Sequence, residues 1–392
     1  MKPGILKGSI IVPALILSLL LSGCGMGGSI YSNYRALEQL RPVEILGVDT
    51  DTQGVSVSAA AKKIGEDSDP LLLRRPGESI LNAMDSLQDY SEHGRLFFSH
   101  VKFVLLGRSF AEAGVGELLD FAERDAGMRL DTELYLLGDS EAGELILSSD
   151  EEEFDVGELL DSTKRDLELR CAGHIYNFRE TAVALSEYGA ALVCMLRVMD
   201  TEGSAATGGQ TTVPAGYGIL KDASLVGELG VSEAEALGLL LGHPGTVSRP
   251  IPDGNGGTVT LQFDGMGGGI DASWDGDRPA PVSVTLRVRA VVAETENAPE
   301  DLMRRPEYLD GLTGRLEEEL EKDLLAALDK ARSLDADFLA LAGILRRSGG
   351  GKSDKLPEGW LGEIEFDVSA EAVIDHSYDL DDPVGTDGGE YK

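Results

Sequence analysis

The apolar period of this chain changes once, and sharply, in its C-terminal half. From Val282 apolar side chains fall on every second position: Val282, Val284, Leu286, Val288, Ala290 and Val292. From Leu309 they step by three or four: Leu309, Leu312, Leu316, Leu320, Leu324, Leu328 and Ala331. A period of two is a strand with one buried face, and a step of three or four is an amphipathic helix. Alternation returns at Ile364, Phe366, Val368 and Ala370. Strand, long helix and strand in that order bury their apolar sides as a helix layer on a sheet. The expected fold class is therefore α+β.

Upstream, the same reading places strands over 43–48 and 55–60, joined by the turn-rich segment 49–54. A short helix follows over 79–89, then a near-continuous apolar strand over 101–106. A helix over 109–124 is interrupted near Gly114 and Gly116. A strand over 132–137, an acidic helix over 154–169 and a strand over 188–198 complete the N-terminal half. After it, 215–220 and 225–229 are strand-like, and 232–241 is a helix with Ser232 as N-cap and Glu235 as its capping-box partner. Val259, Leu261 and Phe263 alternate as a strand. The proline- and glycine-rich stretches 70–76, 250–257 and 265–269 read as loops, and 203–209 as the clearest linker.

The N-terminus carries a different signal. Lys2 and Lys7 precede a twelve-residue apolar run from Ile10 to Leu21. A spanning helix needs ~20 apolar residues, so the run fits the hydrophobic region of a secretory signal peptide. Leu21-Ser22-Gly23-Cys24 follows, and here the chain resembles bacterial lipoprotein precursors. That resemblance implies cleavage before Cys24, which gains diacylglycerol and an N-acyl chain. Two acyl chains or more hold a protein on a bilayer where one is marginal. Charge cannot do so. Lys+Arg number 34 against Asp+Glu 69, a net charge of −35, which disfavours both nucleic acid and electrostatic docking of the whole surface on anionic lipid. Export also bears on the other cysteines: a Cys171–Cys194 disulfide lacks support from spacing, and Cys194 in its apolar run reads as a buried thiol.

Motifs that would carry chemistry fall short. Gly349-Gly350-Gly351-Lys352-Ser353 lacks the first phosphate-loop glycine, since Arg346 stands there. Asp49-x-Asp51-x-Gln53-Gly54 opens like a calcium loop, but Ala60 stands where the bidentate Glu belongs. Gly138-Asp139-Ser140-Glu141-Ala142-Gly143 is one residue too long for a nucleophile elbow. Ser99-His100 beside a strand reads as structural, and His93, His100, His174, His243 and His376 have no zinc-ligand spacing. The run Glu151-Glu152-Glu153 with Asp155 reads as a solvated face. No catalytic residue, cofactor or metal ligand is assigned, and the expectation is a protein that is not an enzyme.

Four segments carry a resemblance. They are Arg95-Leu96-Phe97-Phe98-Ser99-His100-Val101-Lys102-Phe103-Val104-Leu105-Leu106-Gly107, and Leu118 to Asp125 with Met128-Arg129-Leu130. Further on stand Gly218-Ile219-Leu220-Lys221-Asp222-Ala223-Ser224-Leu225-Val226-Gly227-Glu228-Leu229 and Asp335-Ala336-Asp337-Phe338-Leu339-Ala340-Leu341-Ala342. In this order, behind Cys24, they resemble the Ger(x)C family of spore germination lipoproteins. Gly25-Met26 stands where many members have Trp-Asp.

The resemblance implies a multi-lobe α+β fold of mixed β-sheets flanked by helices, and a lipid-anchored C subunit of a nutrient germinant receptor. It implies integral membrane A and B subunits as partners and the outer face of the spore inner membrane as the location. A solute-binding lipoprotein of an ABC-type importer is the alternative. Arg124, Asp125 and Arg129 are expected to pair as a charged corner closing the strand–helix unit. The expected division is a signal peptide (1–23), a tether (24–30), an N-terminal domain (31–200) with room for two lobes, a linker (201–214), a C-terminal domain (215–378) and an acidic tail (379–392).

Overall fold

The computed structural model describes residues 40–375, apart from 62–70, 90–94, 126, 152–154, 172, 201–209, 277, 300–301, 350–355 and 358. The signal peptide, Cys24, the tether, the segment 203–209 and the acidic tail lie outside the described residues. Mixed β-sheets flanked by helices form the architecture, as expected.

The larger sheet begins with β1 (Leu40–Asp51), β2 (Gly54–Ala61) and β3 (Leu71–Gly77), an antiparallel meander. Helix α1 (Ile80–Asp89) and the short β4 (Arg95–Phe97) lead to β5 (Phe103–Leu106), and both strands run parallel to β1. Then come α2 (Arg108–Ala113), α3 (Gly116–Arg124), β6 (Glu133–Leu137), α4 (Ala142–Glu151), α5 (Val156–Arg170) and α6 (Phe178–Tyr188). Strands β7 (Ala190–Asp200), β8 (Gln210–Lys221) and β9 (Ser224–Leu229) complete an order β3-β2-β1-β5-β6-β7-β8-β9, with β4 beside β1. Strands β1, β5, β6 and β7 are mutually parallel. Their inward residues alternate between two cores. Val104, Leu106, Leu134 and Leu136 meet α1, α2, α3 and α6 on one face, while Phe103, Leu105, Tyr135 and Leu137 meet α4 and α5 on the other.

The second sheet has the order β10 (Val247–Pro252), β11 (Thr258–Asp271), β14 (Val282–Glu296), β15 (Phe366–Asp375), with β12 (Trp274–Asp275) and β13 (Arg278–Pro279) as a small separate ladder. The period change is realised directly. Strand β14, the 29-residue α8 (Pro306–Leu334) and β15 form a βαβ unit with β15 parallel to β14. At 1.5 Å per residue α8 is about 44 Å long, and it buries Leu312, Leu316, Leu320, Leu324 and Leu328. Helix α7 (Val231–Leu241) lies between the two sheets and is buried on every side at Ala234, Ala236, Leu237, Gly238, Leu239 and Leu240. One core runs from Leu192, Tyr217 and Ile219 of the large sheet through α7 and α8 to the small sheet. No helix among the described residues is long and apolar enough to cross a membrane.

Several expectations are corrected. Residues 71–77 form edge strand β3, where Pro76 is tolerated because an edge position leaves its missing N–H unneeded. The patch 265–269 lies inside β11. A Cβ on Gly268 would stand 2.8 Å from Leu240 Cδ1 and 2.9 Å from Leu240 O, so the patch lets the end of α7 rest directly on the strand. Residues 210–214 of the expected linker are part of β8, paired with β7. The cap of α7 is Gly230, whose N–H donates to Glu233 at 2.6 Å; Ser232 and Glu235 lie inside the helix.

Candidate functional site

The third and fourth motif segments meet at the β8–β9 hairpin, which residues just outside the first two, Arg108 and Val115, also touch. Its two-residue turn uses left-handed backbone at Asp222 (φ 49°) and Ala223 (φ 64°), the geometry that matches strand twist in tight hairpins. An L-residue in that region costs ~1–2 kcal/mol, so the surroundings must hold it. Asp222 N–H donates to Gly189 O at 2.9 Å, and Val115 N–H, between α2 and α3, donates to Ala223 O at 2.7 Å. The Arg108 guanidinium, at the start of α2, donates to Gly138 O at 2.7 Å, to Glu112 at 2.9 Å and to Glu228 of β9 at 2.5 Å. On its other side the hairpin grips α8: Lys221 Nζ donates to Leu334 O at 3.1 Å and to Asp335 at 3.2 Å.

The repeated aspartates of the last motif are helix punctuation. Asp335 (φ 50°) closes α8 as a left-handed cap, with Ala336 N–H on Ala331 O at 2.9 Å. Asp337 opens α9 (Leu341–Gly349) by accepting the N–H groups of Leu341 at 2.7 Å and Ala342 at 2.9 Å. Burial pushes its carboxyl up to about 6, against the pull of those two N–H donors.

A second polar cluster sits where the connections of the parallel strands part. The chain leaves β5 for α2 on one face and leaves β6 for α4 on the other, so the crevice at their C-terminal ends is a topological switch point. Asp49, at the end of β1 and fully buried, fills it. Its carboxylate accepts the N–H groups of Ala142 at 2.6 Å and Gly143 at 2.8 Å, capping α4. A Cβ on Gly107 would overlap Asp49 Oδ1 and crowd Glu141 Oε2, so only glycine fits below both carboxyls. Glu141 takes a hydrogen bond from Ser109 Oγ at 2.7 Å, and Arg74 stands 3.6 Å from Asp49. Burial first, then the hydrogen bond with Glu141, push Asp49 up to about 7; the two amides pull it the other way. Burial beside a second carboxyl thus favours the protonated form of Asp49. The crevice is occupied by the chain's own carboxylate.

Residues singled out in the sequence do not gather into chemistry. Gly138 to Gly143 does join a strand to a helix, yet Ser140 Oγ is buried without a partner and no histidine joins the cluster. His100 is exposed at the opposite end of β5, beside Phe97 with ring centroids 5.3 Å apart. His174 and His243 stack at 4.8 Å next to Tyr176 and Tyr217, and burial pulls His243 down to about 4. Cys171 and Cys194 are free and buried, with burial pushing their thiols up to about 11 and about 12. The expected corner is rearranged. Arg124 bonds Asp120 one turn back at 2.8 Å, Arg129 bonds Asp131 at 2.6 Å, and Asp125 accepts from Gly127 N–H at 2.6 Å. A short loop lets each charge reach a partner nearer than the one expected. Asp155 caps α5 through Gly157 and Glu158 N–H. Asp51 shapes the β1–β2 turn by accepting from Gln53 N–H at 2.9 Å. Gly350 to Ser353 lie outside the described residues. Among the described residues no group of three or more His, Cys, Asp or Glu is placed to hold a metal ion.

Residues 33–189 match the family described as "Spore germination protein N-terminal domain", and residues 215–378 match "Spore germination B3/ GerAC like, C-terminal". No curated protein matches the chain. A solved structure titled "Crystal Structure of the GerBC protein" aligns with TM-score 0.55 and 15% identity, covering 84% of this chain and 96% of that one. At that identity the likeness speaks for the fold.

Proposed function

This chain belongs to the Ger(x)C family of spore germination proteins, and from that premise we propose that it is the lipid-anchored C subunit of a nutrient germinant receptor. The observation that carries the reading is that both family regions are matched, in order, by one continuous chain. The motif residues support it by their use. Lys221, Asp335 and Asp337 brace a hairpin against the long helix and cap two helices, a structural use that suits a scaffolding subunit. Diacylglycerol and an N-acyl chain at Cys24 hold the protein to the outer face of the spore inner membrane. Integral membrane A and B subunits complete the receptor.

The test is purification of the tagged, full-length protein from detergent-solubilised dormant-spore membranes, with identification of what accompanies it. Two polytopic membrane subunits are the expected companions. An importer permease with its ATPase would overturn the reading.

A further inference from the structure

We propose that the end of the nine-stranded sheet where its parallel strands begin is the surface that lies against an anionic phospholipid bilayer. This deepens the reading above and rests on the anchor at Cys24. Strand β1 opens at Leu40, sixteen residues after Cys24. A chain of that length reaches at most ~55 Å when fully extended, about the span of the whole domain. A domain of this size has a radius of gyration of ~20 Å, so the end carrying Leu40 is the one held close to the lipid.

Topology decides what else that end presents. Leu40, Arg41 and Pro42 pair in parallel with Arg95, Leu96 and Phe97 of β4. The turn Phe98–His100 and Lys102 precede β5, and Arg129 precedes β6. Arg179 N–H bonds Leu130 O, which brings the start of α6 to the same place. Arg95, His100, Lys102, Arg129 and Arg179 therefore share one end with the half-buried rings of Phe97 and Phe98. The acids near them include Glu44 and Asp161, paired with Lys102, Asp131 with Arg129, Asp120 with Arg124 and Glu133 with Lys164. In a chain with about two acids per base this end is near balance, and cations with aromatic rings suit the headgroup layer. The opposite end carries Asp49, Asp51, Glu112, Asp139, Glu141, Glu144 and Glu228 against Arg74, Arg108 and Arg197, an excess of acid that anionic lipid repels. The net charge that disfavours docking of the whole surface therefore orients the molecule instead.

The test is hydrogen exchange on the mature chain coupled through Cys24 to maleimide lipid, in vesicles of phosphatidylglycerol and phosphatidylcholine in equal parts, against the same protein in detergent. Cys171 and Cys194 are buried, so coupling is confined to Cys24. Peptides over 95–104 are expected to exchange several-fold more slowly on vesicles, and those over 49–54 at an unchanged rate. The protection at 95–104 is expected to disappear in the double variant Arg95→Glu, Arg129→Glu. Protection at 49–54, or none at 95–104, overturns the orientation. Because the coupling is chemical, this outcome is independent of whether cells acylate Cys24, which flotation of native membranes reads separately.

Discussion

Asp49 places a buried carboxyl on two helix amides and beside a second carboxyl, and that makes it a proton-binding residue. Its level in the folded protein, about 7, lies above its unfolded value near 4, so the folded state holds the proton more tightly between those limits. The stability this contributes is complete below about pH 4 and is lost as the pH rises to about 7. A tenfold difference in proton affinity is worth ~1.4 kcal/mol, so the loss is on the order of 2–4 kcal/mol. Glu141→Gln removes the second cause, the neighbouring carboxyl, and leaves burial, the larger one, in place, so urea unfolding at pH 5 and pH 8 is expected to differ by less than in the parent. An unchanged difference would show that the pair is not the seat of the effect. Asp337, raised for the same reason of burial, adds a smaller slope of the same sign that this variant leaves in place. Neither Asp49 nor Glu141 stands out in the sequence. Asp49 reads as part of a turn, and the partners that bury it lie on β3 and at the starts of α2 and α4, far away along the chain. The turn itself was visible because its signal is local, whereas Asp335 and Asp337 stood out only within a resemblance and their capping roles emerge from the fold.

At the scale of elements, what was legible is what repeats. The alternation of β14 and β15 and the steps of α8 each mark one buried face, and each element formed where expected. Helices α4 and α6 were missed, because their apolar stripes are short and broken by Ser and Glu. Strand β3 and the second half of β11 were hidden by proline and glycine, whose roles there are an unneeded donor and a close approach. Two side-chain networks now explain how elements stay in register. Arg249, on β10, is largely buried and meets Glu235 of α7 at 3.1 Å and Asp323 of α8 at 2.7 Å. Arg249→Ala would strand those carboxylates and is expected to cost ~3–5 kcal/mol by chemical denaturation. Arg287→Ala, which breaks the exposed pair with Glu371, should cost less than ~1 kcal/mol. Equal losses would contradict the role given to burial. Edge strand β15 is closed by α8, whose Glu321 and Glu317 accept the outward N–H groups of Ala370 at 3.0 Å and Ala372 at 2.8 Å. The double variant Glu317→Ala, Glu321→Ala uncovers that edge, and self-association by light scattering is the expected result. A monodisperse variant would show that the glutamates do not guard it.

For the whole molecule, the anchor and the joint are separable. Cys24→Ala is expected to leave thermal unfolding unchanged and to move the protein from the membrane to the soluble fraction. Retention on membranes would show that partner subunits, rather than lipid, hold it. The charge was readable from composition alone, and the α+β class from pattern. The sharing of one sheet by both halves was not, because strand partners are chosen in space and 203–209 reads as a break. That sharing has a consequence for how such proteins can be recombined. The first matched family region ends at residue 189 and the second opens at residue 215, inside β8, so β7 and the start of β8, laced together along their length, lie at the boundary between the two. A chimera assembled from two members would place its seam in a hydrogen-bonded ladder, so each parent must supply a compatible face as well as a compatible loop. Exchange of halves between receptors is then a matter of matched inheritance across β7 and β8, and the two parts travel through evolution as one heritable unit.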